Sequence, residues 1–596
     1  MTDAPLILWF RRDLRLSDHP MLTAAVASGR PLIPVFILDP DTDALGAAPK
    51  FRLGLAIETF AKTVGALGSR LILRRGPAGE VLHQLIAETG ATGVMWSRMY
   101  DAPSRARDQA VKTALKAKGL TAESHPGALI FEPWEVETGQ GGPYRVFTPF
   151  WKAVRGRAIA VAQPAPKALA APQSWPVSDD LAAWQLAAAM RRGAAVVAAH
   201  QRVGEAKALA RLEEFAAGPM AAYAAERDFP GLSGATSGLS ENLAWGEIGP
   251  RTLWHRGWRA MEMGNAGAET FLKEVVWREF AWHLFYHYPT MDRANWKADW
   301  QAFPWRADNA DAEIWRKGLT GEPLVDAAMR ELYVTGRMHN RARMIVASYL
   351  TKHLLTDWRV GLQWFADCLT DWDPAANAMG WQWAAGSGPD AAPYFRIFNP
   401  VTQGEKFDPD GEYIRRFVPE IARLPTKFLH KPWEAPHPIR RAAGIQLGET
   451  YPRYSGGERM SKARYTADEV ATALKKSFGP SPEQKVIIEA PLECNIVIAG
   501  AGSGKTETMA NRVVQLIANG DVRVDQVLGL TFTRKAANEL AKRVRDNLEV
   551  LNRSGISIPQ TSDVEAIDDM FGATITTYNA FANRIYSDYA LLIGRD

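Results

Sequence analysis

The stretch FLKEVVWREFAWHL, at residues 271–284, combines an acidic, an aromatic and a cationic side chain that could act together. Glu274, Trp277 and Arg278 stand at positions i, i+3 and i+4, which places them on one face of a helix. The same spacing also suits a helix that carries only a salt bridge and a buried tryptophan. Both interpretations stay open from these residues alone.

Two further segments concentrate polar and aromatic groups. GRMHNRARM, at residues 336–344, is either a solvated helix start or part of a site. LTDWDPAANAMGWQWAAGSGPDAAPYFRIFNP, at residues 369–400, is too polar and too aromatic for a plain core. Buried carboxylates need partners, so we expect Asp371 and Asp373 to pair with Arg278 and Arg343.

A third motif predicts phosphate binding. ECNIVIAGAGSGKTETMANRVVQLI, at residues 493–517, has the order strand, glycine-rich loop, helix. Its AGAGSGKT segment, at 499–506, is a P-loop with Ala499 in place of the first glycine. Backbone N–H groups of such a loop hold phosphates, while Lys505 would reach the terminal phosphates and Thr506 would bind Mg²⁺.

The elements that must position these groups fall into several domains. Four short apolar runs, at residues 6–10, 32–39, 70–75 and 93–98, alternate with helical segments at 50–67, 78–89 and 104–119. This alternation predicts an α/β domain with a doubly wound parallel sheet. The first strand lacks the GxGxxG fingerprint of dinucleotide-binding domains.

The rest of the chain changes character twice. The predicted order is an α/β domain, an interdomain linker rich in Ala and Pro, a large all-α domain, a second linker and a partial P-loop α/β domain. These segments cover residues 1–130, 131–200, 201–452, 453–480 and 481–596.

Composition sets limits on function. The 596 residues carry a formal net charge of +4, which is compatible with nucleic acid but does not argue for it. The two cysteines exclude a disulfide scaffold and fit a reducing cytoplasm. The N-terminus lacks a signal-peptide layout, and we predict no membrane span. The 21 tryptophans raise the possibility of stacking, base contact or electron transfer beyond ordinary core packing.

Taken in order, FRRDLRLSDHP (10–20), TSGLSENLAWGEIGPRTL (236–253) and the segments above resemble the photolyase/cryptochrome family over residues 2–452. The resemblance implies an FAD held in the helical domain, with Asn377 opposite flavin N5. It assigns cofactor binding to Tyr223, Thr236, Ser237, Leu239, Ser240, Arg278, Asn340, Arg343, Asp371, Asp373 and Asn377.

The same resemblance implies light-driven repair of a pyrimidine dimer flipped out of DNA. The catalytic residues would be Glu274, Trp277, Met344, Asn377 and Trp383. The DNA-binding residues would be Arg227, Glu274, Trp277, Asn340, Arg341 and Gln403. Electrons would pass from the surface to the flavin through Trp305, Trp358 and Trp381.

Positions at which members of the family differ from one another indicate the substrate and the antenna chromophore. His339-Asn340 followed by Met344 favours the cyclobutane dimer over the six-four photoproduct, whose enzymes place histidines there. A cryptochrome-type photoreceptor without repair activity is the alternative. Pro103-Ser104 stands where folate-binding members have Asn-Glu, so folate, a deazaflavin, another flavin or no antenna all stay open. We expect a cytoplasmic monomer.

Residues 465–596 resemble the first part of a UvrD/Rep-type helicase, and Thr531, Arg534 and Lys535 lie in the segment that touches single-stranded DNA in relatives. ATP binding is assigned to Gln484, Gly500, Gly502, Ser503, Gly504, Lys505 and Thr506. No strand ending in Asp-Glu and no second motor domain follow, so we predict no helicase or ATPase activity.

Overall fold

The computed structural model describes most of the chain. The described residues are 4–389, 397–452, 465–476, 479–490, 504–519, 521–522, 527–553, 574–577 and 579–580. By contacts, the chain divides into two compact units, Met1–Arg453 and Tyr454–Asp596.

The first unit begins with a parallel five-stranded sheet. Its strands are β1 Leu6–Phe10, β2 Leu32–Leu38, β3 Ile72–Arg75, β4 Gly93–Ser97 and β5 Thr121–His125, in the order β3-β2-β1-β4-β5. Leu6 is in register with Leu32 on one side and Gly93 on the other. The four apolar runs form β1, β2, β3 and β4, as the sequence predicts. The sequence of β5, TAESH, lacks an apolar run because most of its side chains are not buried, and the sequence did not predict this strand.

Helices cover both faces of the sheet. They are α1 Pro20–Ala27, α2 Pro40–Asp43, α3 Ala47–Ala66, α4 Ala78–Thr89 and α5 Ala102–Ala117. Leu6, Leu8 and Phe10 pack on one face with residues of α1 and α3. Ile7 and Trp9 pack on the other face with residues of α4 and α5. Because successive side chains of β1 point to opposite faces, both faces of this strand are buried.

Sixteen helices follow within the part of the first unit that the structure describes. They are α6 Phe147–Val154, α7 Gly193–Ala198, α8 Glu205–Ala217, α9 Tyr223–Glu226, α10 Ser240–Ala244, α11 Pro250–Glu262, α12 Ala268–His287, α13 Ala310–Arg316, α14 Pro323–Thr335, α15 Asn340–Ser348, α16 Trp358–Cys368, α17 Pro374–Ala385, α18 Pro400–Phe407, α19 Glu412–Phe417, α20 Thr426–Leu429 and α21 His437–Ala442. A π-helical turn, Tyr349–His353, continues α15.

The stretch at 131–200 is more than a connection. Its α6 has a strongly apolar face, on which Phe147, Phe150 and Trp151 are buried. These side chains join Phe280 and neighbouring residues of α12 in one hydrophobic core. The linker assignment missed this packing because the alanine- and proline-rich composition of the later part of the stretch dominates its sequence.

The second unit contains α22 Ala467–Ala473, α23 Pro482–Ile488, α24 Lys505–Ala518, β6 Leu528–Thr531, α25 Arg534–Arg553 and β7 Thr574–Thr577. β6 and β7 pair in parallel. Residues 467–473, which the sequence assigned to a linker, form a helix instead because Thr466 and Glu469 make a capping box. Across the described parts of both units, no helix is long and apolar enough to cross a membrane.

Candidate active site

Helices α12, α15 and α17 carry the predicted cofactor residues Arg278, Asn340, Arg343 and Asn377, and Asp373 caps α17. Helix α17 packs against α12, α15 and α16. It begins at Asp373-Pro374, where the Asp373 carboxylate accepts a hydrogen bond from the Ala376 N–H at 2.9 Å. Proline suits the first helical position because its missing N–H is not needed there. The sequence Asp-Pro therefore starts the helix that carries Asn377, Trp381 and Trp383.

The two buried carboxylates have the arginine partners that the sequence predicted. Arg343 Nη2 donates to both oxygens of Asp371 at 3.0 and 2.7 Å. Arg278 Nε lies 3.8 Å from Asp373 Oδ2, which also accepts from Trp282 Nε1 at 2.9 Å. Such pairing offsets the cost of placing charges away from water.

The amide of Asn377 is held in place from one side. Asn377 is buried, and its Nδ2 donates to the backbone oxygen of Asp373 at 2.9 Å. The bond spans one helical turn, so it fixes the side-chain rotamer of Asn377 against α17 itself. The group that the resemblance places opposite flavin N5 is thus oriented before any ligand arrives.

The segment 236–240 forms a small loop before α10. Arg211 donates to the backbone oxygens of Thr236 and Ser237 at 2.7 and 2.9 Å. Gly238 has a φ of +63°, a conformation that other residues seldom adopt. Leu239 is buried, while Ser240 is exposed at the first residue of α10. The segment therefore carries three hydroxyl side chains, those of Thr236, Ser237 and Ser240, of the kind that donate hydrogen bonds to phosphate.

Tyr223, the remaining residue predicted for the phosphate region, lies in an aromatic cluster. Its ring meets Phe215 and Phe271 edge-on, with centroids 5.4 and 6.1 Å apart. Burial raises the pKa of Tyr223 above its ordinary value, so the phenol keeps its proton.

Trp277 and Glu274, two of the residues predicted to face a DNA lesion, are half-buried, and each already has a partner within the protein. Trp277 stacks face to face on Phe147, with centroids 3.7 Å apart and planes within 6°. Glu274 pairs with Arg227, whose guanidinium lies 5.4 Å from the Tyr223 ring centroid. Phe147 is a contact that sequence reasoning missed, because it lies 130 residues before Trp277 in the stretch assigned to a linker.

The residues of α15 and α18 that are predicted to contact DNA differ in how exposed their side chains are. Asn340 is exposed at the first residue of α15. Arg341 pairs with Asp228 at 2.5 Å and covers the Phe407 ring at 4.4 Å. Met344 and Gln403 are half-buried, and Trp383 stacks near Phe398 with centroids 6.3 Å apart.

The three tryptophans predicted for electron transfer share one apolar cluster. Trp381 and Trp358 are buried in it, and Trp305 packs against it. Trp381 also contacts Phe365 and Trp315, at centroid distances of 5.0 and 6.1 Å, which the sequence did not predict. Trp358 Nε1 donates to Asn295 Oδ1 at 2.8 Å.

In the second unit, two predicted ATP-binding elements meet. Lys505 and Thr506 start α24, as the P-loop motif predicts. A Cβ built on Gly504 would lie 3.0 Å from Gln484 Nε2, so the Gln484 amide approaches the end of the loop. Gly500, Gly502 and Ser503 lie outside the described residues. Thr531 ends β6, and Arg534 and Lys535 are exposed at the start of α25.

The arrangement agrees with comparisons of the chain to known proteins. Residues 6–171 match the DNA photolyase family, and residues 271–467 match the FAD binding domain of DNA photolyase. Residues 481–596 match the UvrD/REP helicase N-terminal domain. The chain belongs to the DNA photolyase and cryptochrome family.

Named relatives support this membership. The deoxyribodipyrimidine photo-lyase of Agrobacterium fabrum is 48% identical over 453 residues, covering 75% of this chain and 94% of that protein. Cryptochrome-2 of Arabidopsis thaliana is 34% identical over 508 residues, covering 82% and 81%. A crystal structure of a bacterial class III photolyase from Agrobacterium tumefaciens superposes with a TM-score of 0.74 at 47% identity, covering 76% and 94%.

The residues of this photolyase-family domain fit an FAD. Arg278 Nε is buried and has no hydrogen-bond partner among the described residues, which is costly unless a ligand supplies one. Two buried arginine–carboxylate pairs and the Asn377 amide provide the mixed donors and acceptors that a polar heterocycle and a ribityl chain require. The loop at 236–240 offers N–H groups and hydroxyls for phosphate.

Proposed function

We propose that this chain is a light-dependent DNA-repair enzyme, a deoxyribodipyrimidine photo-lyase that splits cyclobutane pyrimidine dimers flipped out of DNA. The observation that carries the proposal is a buried set of paired charges around Asn377, on the helix that also carries Trp383. When bound, reduced FAD supplies the electron that blue light promotes onto the dimer and that returns after the ring opens.

The protein's own residues would hold the cofactor and the base pair close together. Asp371–Arg343 and Asp373–Arg278 orient the flavin side of the pocket, and the loop at 236–240 binds the phosphates. Trp277 and Trp383 offer aromatic surface to an extruded dimer, and Met344 an apolar wall. Glu274 accepts a hydrogen bond from a base edge once Arg227 releases it, and Arg227 then becomes free for a DNA phosphate.

The proposed lesion is the cyclobutane dimer because the 339–344 segment carries one histidine, followed by Asn340 and Met344, and that histidine is already engaged through Nδ1. The His339 ring caps α15 by accepting a hydrogen bond from the Arg341 N–H at 3.2 Å. Burial lowers the pKa of His339 to about 4, so it is neutral at physiological pH. It is therefore poorly suited to donate a proton to a substrate.

Blue-light repair of a thymine-dimer oligonucleotide tests the proposal against a cryptochrome-type photoreceptor. We expect the purified full chain to bind FAD and to restore the dimer in the light but not in the dark. Trp258→Ala, in α11, is the matched control for Trp277→Ala because it removes a half-buried indole outside the proposed site. Flavin binding without repair would favour the photoreceptor.

The buried tryptophan cluster supports a second role, photoreduction of the flavin. Indoles are oxidisable, and Trp358 and Trp381 lie in one apolar cluster against which Trp305 packs. These three tryptophans form the proposed electron path. Illumination of the oxidised protein with an added electron donor should convert bound FAD to its reduced form. Trp381→Phe, which keeps most of the packing, should slow that conversion.

The sheet domain is proposed to be doubly wound and to carry an antenna chromophore. A cavity of about 460 Å³ opens at the carboxyl ends of β2 and β3, between residues 39–41, 77–83 and 107–114. Ligands of open α/β sheets bind at this end of the strands. Ser104, at the position where folate-binding members have Asn-Glu, is buried in the first turn of α5. An action spectrum of repair would distinguish folate, a deazaflavin, another flavin and no antenna.

For the second unit we propose weak ATP–Mg²⁺ binding at most, without helicase activity. Gln484 and Lys505 approach the same loop end, which supports nucleotide contact. DNA-stimulated ATP hydrolysis that disappears in Lys505→Ala would contradict the proposal of binding without helicase activity. We also propose that the protein is a cytoplasmic monomer, and its two cysteines suit a reducing compartment.

A further inference from the structure

Glu279 is a buried carboxyl beside the proposed flavin pocket that none of the roles above uses. It follows Arg278 in α12 and is 2% exposed. Its Oε2 accepts hydrogen bonds from the Ile130 and Phe131 N–H groups at 2.7 and 3.2 Å. Its Oε1 accepts one from Arg278 Nη1 at 3.3 Å. The carboxyl therefore ties α12 to the loop that follows the sheet.

Arg278 lies between this carboxyl and the flavin-side carboxylate. Its Nη1 also donates to the backbone oxygen of Ala128 at 3.0 Å. On its other side, Nε lies 3.8 Å from Asp373 Oδ2 and makes no hydrogen bond. The loop at 128–131 thus holds Arg278 and Glu279 together, although neighbours on a helix point in different directions. The Arg278 guanidinium therefore lies between two carboxyl groups, Glu279 on the loop side and Asp373 on the proposed flavin side.

The surroundings of Glu279 make its charge sensitive to pH. Burial raises the pKa of Glu279 to about 7, against the opposing effects of Arg278 and the two loop N–H groups. Glu132 raises it further. The charged and titratable groups that act on it are Arg278 on α12, Glu132 in the loop segment, and Tyr100, which shares Glu132 with Arg98. Through Arg278 it is linked to Asp373 at the start of α17 and to Arg12 after β1.

We propose that Glu279 is a positioning residue that sets how much of the Arg278 positive charge is available to Asp373 and the flavin. As a carboxylate it neutralises Arg278 from the loop side. As a neutral acid it leaves the guanidinium charge to the flavin side, where an anionic reduced cofactor is favoured. The change takes one proton from solvent and requires no redox partner. The inference rests on the proposed FAD site.

The consequence is a flavin whose ease of reduction depends on pH through a residue that does not touch it. Below the pKa of Glu279 the reduced form gains stabilisation, and above it that gain is lost. Glu279→Gln is permanently neutral, so it should keep the reduced form favoured at all pH values. At pH 8 we expect the ratio of reduced to oxidised flavin, at one applied potential, to rise about tenfold, the effect of one pKa unit of charge interaction.

The experiment is spectroelectrochemical titration of the full chain with bound FAD, between about pH 6 and 8.5, the range around this titration. The wild type should show an extra step in its potential–pH profile near neutrality, and Glu279→Gln should lack it. Asp326→Asn is the matched control, because Asp326 is fully buried and hydrogen-bonded to Thr320 and Tyr451, in a polar cluster without predicted flavin ligands.

The outcomes separate the claims. A wild-type profile without the step overturns the inference before any variant is made. Equal loss of thermal stability in Glu279→Gln and Asp326→Asn, with wild-type potential profiles in both, assigns Glu279 a merely structural role and also overturns it. If Glu279→Gln does not fold, Glu279→Asp must move the step, and an unmoved step contradicts the proposal. A folded wild type that binds no FAD would instead defeat the proposed function.

Discussion

The flavin side and the lesion side of the proposed site are built on opposite principles. On the flavin side, each of the carboxylates Asp371 and Asp373 is buried and already has an arginine partner. On the lesion side, Glu274, Trp277 and Arg341 are half-buried, and we expect the ion pairs of Glu274 and Arg341 to open when DNA binds. A resident cofactor is served by a preorganised pocket, whereas a transient substrate is served by groups that can exchange partners.

The largest effect should come from breaking a flavin-side pair. Asp371→Ala leaves Arg343 without its bidentate partner, and loss of one member of a buried pair costs about 3–5 kcal/mol. We expect loss of FAD from the purified protein and a lower unfolding temperature. Asp308→Ala is the control, because the Asp308 carboxylate is exposed and its pair with Arg316 should be worth at most about 1 kcal/mol. If Asp371→Ala keeps its full flavin content, the buried pair is not needed to hold the cofactor, and the proposed difference between the two sides is wrong.

A lesion-side change should lower DNA affinity and leave the flavin bound, although loss of the Trp277–Phe147 stack also lowers the free energy of unfolding. Trp277→Ala removes one stacking surface, worth about 1–3 kcal/mol for a base on an aromatic ring. Binding of dimer-containing DNA should weaken by about tenfold to a hundredfold. FAD content should stay near wild type. Fluorescence anisotropy with damaged and undamaged oligonucleotides measures the difference, and equal weakening for both would contradict a lesion contact.

The tryptophan cluster allows a test of packing around the flavin side. A Cβ at Gly361, in α16, would lie 2.0 Å from the Trp381 ring. Gly361→Ala should therefore displace Trp381, cost about 1–3 kcal/mol by overpacking and slow photoreduction. Gly65→Ala, in α3, meets nothing within 4 Å and should be neutral or slightly stabilising. Unchanged photoreduction in Gly361→Ala would argue against Trp381 as the first electron donor.

The smallest effect should come from removing one charge that contacts DNA, and it should appear only in DNA affinity and its salt dependence. Arg341→Ala should weaken damaged and undamaged DNA about equally and reduce the slope of log K against log salt by about 1. The control is Arg256→Ala. Arg256, in α11, pairs with the exposed Glu213 of α8 and is not among the predicted DNA contacts, so this change should leave the slope unchanged. If Arg341→Ala instead weakens damaged DNA more than undamaged DNA, Arg341 contacts the lesion and not only a phosphate.

Local sequence signals predicted the elements well where they were strong. Apolar runs located four strands, Asp373-Pro374 marked the start of α17, and the glycine-rich motif preceded α24. They failed for β5, which alternates weakly at an edge, and for α6, whose apolar face follows a loop segment and precedes an alanine- and proline-rich stretch. The order of family motifs indicated the helical flavin-binding domain more firmly than any single pattern.

What the sequence by itself determined is the set of chemical groups and the local helices and strands that carry them, because capping, periodicity and turn chemistry act over a few residues. Only the tertiary structure decided the partners: Phe147 under Trp277, Arg227 beside Glu274, and the 128–131 loop on Arg278 and Glu279. These contacts join residues 47 to 150 positions apart. Such pairings depend on how whole elements pack, and no local pattern encodes that packing.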